Sequence, residues 1–289
     1  MTILVTGRHG QLAQSLAERG GGDILLIGRP DLDLAIPGSA RTFILAARPD
    51  LVVNAAAFTA VDRAETEEAA AHRINADGAS EVAGAARELG VPVIHISTDY
   101  VFDGRATEPY GETAGTAPIN AYGRTKLAGE EGVRAANPDH LILRTSWLVS
   151  PFSKNFVRTM VDLAPQRETL SVVADQFGNP TSALDLADAI LVVARRWATG
   201  DRTGFGQTYH IAGSGIASWF DLAVAVQDEL ARLGRKSATV TPIPTADWPT
   251  AAARPAYSAL DSSAFARAFG HIMPDWRLSL GPIVARLVA

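Results

Sequence analysis

The sequence predicts an α/β fold, a doubly wound parallel sheet followed by a smaller C-terminal lobe. Three observations carry this. Short aliphatic runs alternate with alanine-rich stretches through the first half, and strands alternating with helices form parallel sheets with right-handed crossovers. The aliphatic runs are nearly continuous, as in strands covered on both faces. The alternation loosens after about residue 147, and the tail is proline-rich and irregular, as in P-I-P-T-A-D-W-P.

Each element follows from the local pattern. Ile3–Val5, Ile24–Ile27, Leu51–Val53, Val93–Ile96 and His140–Leu143 read as buried strands. Between them Gln11–Arg19, Ser39–Ala47, Ala64–Leu89 and Tyr122–Ala136 read as helices, the third with a break expected near Asn75–Gly78. Gly20-Gly21-Gly22, Arg48-Pro49-Asp50 and Leu89-Gly90-Val91-Pro92 are turn signals at helix ends. Further on, Asn155–Leu163, Ala183–Trp197 and Trp219–Leu233 read as helices, and Leu170–Val173 and Tyr209–Ala212 as strands. The expected division is a first lobe over residues 1–150, its sheet completed by parts of 168–212, and a second lobe built mainly from 151–289.

Composition narrows the functional classes. The chain has 289 residues, 47% hydrophobic and 20% charged, with a formal net charge of -5, which is ordinary globular composition. A mixed, acidic surface without a long basic run argues against nucleic acid or an anionic membrane as partner. There are no cysteines, which excludes disulfides, thiolate metal sites and cysteine nucleophiles and fits a reducing cytoplasm. M-T-I-L-V-T-G lacks the features of a signal peptide, and no apolar run approaches the ~20 residues of a membrane span. The six histidines are scattered, so no metal site is expected.

The chemistry-bearing stretches lie at strand ends. T-G-R-H-G-Q-L-A (Thr6–Ala13) joins the first strand to the first helix. Gly7 and Gly10 permit a tight turn, Gln11 and Leu12 open the helix, and its free N–H groups can face a pyrophosphate, as in Rossmann-type sheets. The lysine and hydroxyl of a P-loop are missing, which disfavours nucleotide hydrolysis. The second strand ends in Gly28-Arg29 where an acid often reads the adenosine ribose. Arg29 is either a 2′-phosphate ligand, favouring NADPH, or a solvated arginine. Asp31 and Asp33 keep NADH open, and Asp33-Leu34 can sit under the adenine. Ala55, Ala56 and Ala57 follow the third strand as a small-residue wall for a cofactor or simply as tight packing.

In H-I-S-T-D-Y-V-F-D-G (His95–Gly104) an apolar strand ends in hydroxyls and an acid. Thr98 there can bond a substrate carbonyl or merely cap the strand. In N-A-Y-G-R-T-K (Asn120–Lys126), Asn120 is an N-cap, and Tyr122 and Lys126 share a helix face. A neighbouring ammonium is expected to lower the tyrosine's pKa toward that of a general acid/base.

Glycine turn, strand-end hydroxyl and Tyr-x-x-x-Lys, in this order, resemble the extended short-chain dehydrogenase/reductase family. The resemblance to its dTDP-4-dehydrorhamnose reductases runs nearly end to end. It is carried by V-N-A-A-A-F-T-A-V-D-R-A-E, I-S-T-D-Y-V-F-D-G, N-A-Y-G-R-T-K-L-A-G-E, L-R-T-S-W-L, D-Q-F-G-N-P-T, Y-H-I-A-G-S-G and R-P-A-Y-S-A-L-D. It implies hydride transfer from NADPH or NADH to C4 of a dTDP-4-keto-6-deoxy sugar, giving dTDP-L-rhamnose, with the C-terminal lobe binding substrate. Tyr122 would protonate the C4 alkoxide, Lys126 would hold the nicotinamide ribose, and Thr98 would bind the carbonyl oxygen. Substrate contacts map onto Thr98, Asp99, Tyr100 and Trp147, with Arg254 placed for the diphosphate or for a surface ion pair. Without the resemblance Trp147 reads as a core aromatic.

Two departures qualify the resemblance. Some relatives are magnesium-linked dimers using a glutamate in the first helix; this chain has Gln14-Ser15 there, so a monomer or weak homodimer is expected. Gly28-Arg29 leaves NADPH against NADH unsettled. The alternatives are a non-catalytic NADP-binding subunit of the methionine adenosyltransferase type and another nucleotide-sugar epimerase or dehydratase. The complete Thr98/Tyr122/Lys126 set speaks against the first. Asp99-Tyr100, in place of an Asp-Glu pair, speaks against a dehydratase.

Overall fold

The computed structural model describes residues 1–289. The chain opens with strand β1 (Ile3–Thr6), helix α1 (Gln11–Gly20), strand β2 (Ile24–Ile27), helix α2 (Ser39–Ala47) and strand β3 (Leu51–Asn54). Two short helices, α3 (Val61–Ala64) and α4 (Glu68–His72), lead through a π-helical turn at Arg73–Asp77 into α5 (Gly78–Glu88). The break expected near Asn75–Gly78 is therefore present, as a widened turn. Strand β4 (Val93–Thr98), helix α6 (Ala121–Ala136) and strand β5 (His140–Thr145) follow.

The second half holds β6 (Leu148–Val149), α7 (Phe156–Leu163), β7 (Thr169–Val173), β8 (Phe177–Gly178), β9 (Thr181–Ser182), α8 (Ala183–Ala198) and β10 (Gln207–His210). It ends with β11 (Ala217–Ser218), α9 (Trp219–Arg232), β12 (Thr239–Ile243), α10 (Ser263–Phe269) and α11 (Trp276–Val288).

The central sheet has six strands in the order β10-β5-β4-β3-β1-β2, all pairs parallel. Side chains alternate across it. Ile3 and Val5 face a core shared with Leu12, Leu16 and α8, whereas Leu4 faces one shared with Ile44, Val52 and Val82. Both faces are covered, which explains the unbroken aliphatic runs. The strand order reverses between β1 and β3, so the crevice opens at their carboxyl ends, beside Gly7 and Ala55. A separate core of Val157, Leu170, Leu222, Trp276, Ile283 and others joins α7, α9 and α11 in the C-terminal half.

The tail departs from its expected irregularity. β12, α10 and α11 are regular elements that the sequence pattern hides. Pro242 interrupts T-V-T-P-I, yet it sits in a two-stranded pair with β7 where its missing N–H is tolerated. In α11, Pro282 lies within the helix, and Leu278 is 74% exposed while Leu280, Ile283 and Val284 are buried. Apolar residues on both faces erase the amphipathic stripe. Of residues 168–212, β10 completes the central sheet, while β7 pairs with β12 instead.

Candidate active site

The crevice is built on the glycine turn. Gly7 has φ of 85°, a left-handed conformation that favours glycine, and a side chain there would meet the Ala56 backbone at 3.2 Å. Helix α1 starts at Gly10 with no side-chain cap and no acid in its first turn. Its first N–H groups are thus free for an anion. This donor set, with the small wall at Ala55 and Ala57, fits a dinucleotide. Leu12 and Ala13 are buried beneath the turn. Ala56 donates its N–H to Thr6 Oγ1 at 3.0 Å, which locks the wall to β1.

Gln11 does more than the motif discloses. Its amide donates to Leu148 O at 3.2 Å and accepts from Ser150 Oγ at 2.8 Å, while Ser153 Oγ donates to His9 O at 2.5 Å. Residues 148–154 are thereby strapped beside the start of α1. Lys154 of this strap lines the crevice.

At the far end of the turn, Arg29 stands exposed after β2. Sequence reasoning passed over Arg8, whose guanidinium donates to Gly28 O at 3.0 Å and pairs with Asp31. Its Nε is buried without a partner. Two arginines, Arg8 of the glycine turn and Arg29 after β2, thus stand near the carboxyl end of β2. The Asp33 carboxylate accepts from Ala35 N–H at 2.9 Å, and Leu34 is buried in the core. The fold does not bring these two into the crevice that holds Tyr122 and Lys126.

That crevice is a cavity of about 480 Å³ lined by Gly10, Gln11, Leu12, Ala55, Ala57, Thr98, Asp99, Tyr122, Lys126 and Trp147 among others. Asn120 caps α6 by accepting from Gly123 N–H at 2.8 Å, and one turn of helix separates Tyr122 from Lys126. The glycine between them is required: a side chain at Gly123 would stand 2.1 Å from Tyr100 O. Asn75, in the π-helical turn, bonds the Phe58 backbone and donates to Thr125 Oγ1 at 3.0 Å, anchoring α6 to the loop after β3.

Sequence reasoning expects a phenol made more acidic by the neighbouring ammonium; the structure shows the reverse. Burial pushes the Tyr122 pKa up to about 12, a hydrogen bond with Thr98 acts the other way, and the Asp99 charge adds to the rise. Lys126 does not act on it here. Its Nζ donates to Ile96 O at 2.6 Å and lies 3.3 Å from His95 Nε2. Burial lowers the lysine's own pKa to about 8, against the Glu130 carboxylate. The sharing of one helix face was legible; the helix could not tell which way the amine turns.

Thr98 ends β4, donating to Asp99 Oδ1 at 3.0 Å and accepting from Tyr100 N–H at 3.2 Å. Asp99 is 2% exposed, and burial raises its pKa to about 6 despite the nearby Ser258 hydroxyl and the hydrogen bond from Thr98. Its Oδ2 has no partner. Tyr100 stands edge-on to Tyr122, ring centres 5.8 Å apart, and its pKa is also raised, mainly by burial.

Trp147 is an aromatic of the cavity wall rather than of the closed core. It stacks on Trp219 at 3.5 Å, and Phe156 lies 4.7 Å from Trp219. A side chain at Gly178 would stand 2.7 Å from the Trp147 ring, so F-G in D-Q-F-G-N-P-T makes room for it. Asn179 of the same stretch bonds Gly215 O at 2.9 Å and Leu260 N at 2.7 Å, tying the C-terminal segments together.

Behind the stack lies a second cavity of about 640 Å³ lined by Tyr100, Phe156, Arg167, Gln176, Trp219, Trp248 and Arg254 among others. Phe156 and Trp219 line both cavities, so the two adjoin. Arg254 pairs with Asp62 at 2.8 Å on the wall of this second cavity. Sequence reasoning missed Arg167, Trp219 and Trp248, which lie in segments with no motif of their own.

Known proteins match this chain along its whole length in sequence and in fold. The family described as the RmlD substrate binding domain matches residues 1–289. A dTDP-4-dehydrorhamnose reductase of Sinorhizobium fredii is 44% identical, over 100% of this chain and 98% of that one. The crystal structure of a dTDP-4-dehydrorhamnose reductase from Clostridium acetobutylicum superposes with a TM-score of 0.92 at 37% identity, covering 100% of both chains. That from Bacillus anthracis, in complex with NADP, gives 0.88 at 36% identity over 99% of both. No helix here is long and apolar enough to cross a membrane. With this full-length match in sequence and fold, the chain belongs to the RmlD substrate binding domain family.

Proposed function

We propose that this chain reduces the C4 keto group of dTDP-4-dehydro-6-deoxy-L-mannose to dTDP-L-rhamnose with NADPH, and with NADH less readily, the last step of dTDP-rhamnose biosynthesis. The observation that carries the reading is one crevice holding a bare glycine turn, Thr98, Tyr122 and Lys126, beside a second, aromatic- and arginine-lined cavity. The turn and the Ala55–Ala57 wall suit the dinucleotide. Trp219, Trp248, Arg167 and Arg254 suit a base and a diphosphate. Residues 1–150 with β10 then form the cofactor lobe, and 151–289 mainly the substrate lobe.

When bound, NADPH supplies the hydride. Thr98 holds the carbonyl oxygen by its hydroxyl, and Tyr122 holds a proton at its phenolic oxygen. A pKa near 12 suits this direction. The phenol is fully loaded at neutral pH, and an alkoxide is more basic still, so proton transfer remains downhill. Lys126 places a positive charge at the cofactor ribose, a charge that burial leaves only partly secure above pH 8. Trp147 and Trp219 wall off water between the two cavities. Arg8 and Arg29 favour the 2′-phosphate of NADPH. The proposed location is the cytoplasm, which fits a chain without cysteine. The proposed assembly is a monomer or weak homodimer.

The test is initial rates with the dTDP-4-keto sugar and each dinucleotide. NADPH turnover with a higher kcat/KM than NADH is expected, and Arg8→Ala and Arg29→Ala should narrow that ratio. Binding of NADPH without turnover would instead identify a non-catalytic binding subunit.

A further inference from the structure

His95 is a buried titratable group that the proposed chemistry leaves unused. It lies on β4, 1% exposed, with its Nε2 3.3 Å from Lys126 Nζ and its Nδ1 3.1 Å from Asn54 Nδ2. Asn54 Oδ1 accepts from Thr6 Oγ1 at 2.8 Å, and Thr6 Oγ1 accepts from Ala56 N–H at 3.0 Å. A continuous buried chain therefore runs from the Lys126 amine to the backbone wall of the dinucleotide crevice. Four polar side chains kept in register across β1, β3, β4 and α6 are costly unless each is satisfied.

From this chain we infer that His95 is the positioning residue of Lys126, holding the amine in both of its charge states through a rotation of the Asn54 amide. The inference rests on the reading of Lys126 given above. An ammonium can only donate. With Lys126 charged, His95 Nε2 must accept, so the neutral ring carries its proton on Nδ1 and Asn54 must turn Oδ1 toward it. With Lys126 uncharged, Nε2–H donates to the amine, and Asn54 presents Nδ2 to Nδ1, with its Oδ1 on the Thr6 hydroxyl. The second arrangement is the one the present distances describe. Each arrangement joins Lys126 to Thr6 through unbroken hydrogen bonds, the first with the Thr6 hydroxyl proton turned out of the chain, and the two differ by half a turn of one amide.

His95 itself stays uncharged in both. Burial pulls its pKa well below the ordinary histidine value, and the charges of Lys126 and Arg134 push it the same way. The charged groups packed around this pair are few. From α6 come Lys126, Glu130 and Arg134; from β5 comes Arg144, which pairs with Glu130 at 2.7 Å. β3 presents neutral Asn54, and β1 neutral Thr6. No group but Lys126 therefore titrates against His95 near neutrality.

The experiment has two readouts. Nitrogen-15 NMR of the histidine rings in the unliganded wild-type protein, from pH 6 to 9.5, should show His95 as the Nδ1–H tautomer at low pH. It should pass to Nε2–H as Lys126 loses its proton near pH 8. A single tautomer across that range, or a ring that protonates fully near pH 6.5, overturns the inference without reference to turnover.

The second readout is the pH profile of kcat with saturating NADPH. His95→Leu removes a charge-assisted hydrogen bond from the ammonium and a weaker neutral one from the amine. It should move the basic limb down by about one pH unit, the surplus of the first bond over the second. His95→Gln, whose amide can accept or donate, should leave the limb near the wild-type position. Coincident limbs in folded His95→Leu and wild type overturn the inference. Should Lys126→Met turn over normally, the role of Lys126 fails on its own, while the tautomer measurement still stands.

Discussion

At the residue scale the site is a set of buried groups whose ionisation is set by desolvation. Tyr122 is held protonated, so its value lies in donating at the right place. Tyr122→Phe should lower kcat by roughly 10²–10⁴-fold, the usual worth of one proton-transfer group, with NADPH affinity retained. A steady-state assay with the 4-keto sugar checks this, and turnover within a few-fold of wild type would remove Tyr122 from the chemistry. Asp99 carries the opposite cost. Its pKa is raised from 3.8 to about 6, so the folded state binds its proton more tightly than the unfolded state. The sign follows: stability is greatest when the group is protonated and is lost as pH rises from about 4 through 6. At pH 7.5 Asp99→Asn should therefore stabilise the fold, by on the order of 1–3 kcal/mol, while kcat/KM falls. Urea denaturation at pH 5 and 7.5 measures it; a variant less stable than wild type at pH 7.5 refutes it. The placement of Tyr122, Lys126 and Thr98 in one crevice was legible because a strand-end hydroxyl and a shared helix face are local patterns. The directions of their pKa shifts were not, because burial is a property of neighbours remote in the chain.

At the element scale, α6 shows how packing overrides propensity. Alanine is a better helix former than glycine by about 1 kcal/mol, so Gly123→Ala is stabilising on local grounds alone. A Cβ there would lie 2.1 Å from Tyr100 O, against backbone that cannot swing aside. Gly123→Ala should instead destabilise by about 1–3 kcal/mol or more and displace Tyr122 relative to Thr98. Thermal or urea unfolding together with kcat reads both effects, and an unchanged or raised Tm would show that the helix can shift freely. The first five strands and most helices were legible, since period and capping are local. Asn120, Asn155, Ser182 and Ser218 all cap the helices that follow them. β12, α10 and α11 were not legible, because proline and two-faced apolar patterns mask elements whose partners lie elsewhere in the chain.

On the scale of the whole molecule, the two adjoining cavities lie where the two cores meet. Arg254 from the tail pairs with Asp62 from the segment after β3 across 192 residues of chain. Arg254→Ala should raise the KM for the nucleotide sugar about tenfold, the worth of one charge-assisted contact, with kcat little changed at saturation. Isothermal titration with dTDP alone isolates the nucleotide part; unaltered affinity there would take Arg254 out of the site. The sequence by itself determined the fold class, the glycine turn and the sharing of one crevice by Thr98, Tyr122 and Lys126, because these depend on local periodicity and on residue chemistry. Only the tertiary structure decided that Arg8 packs against Gly28 and Asp31 at the end of β2, that Trp219 and Trp248 complete the second cavity, and that His95 lies beside the Lys126 amine. Those are juxtapositions across the sheet and between lobes, and no spacing along the chain encodes a contact made in three dimensions.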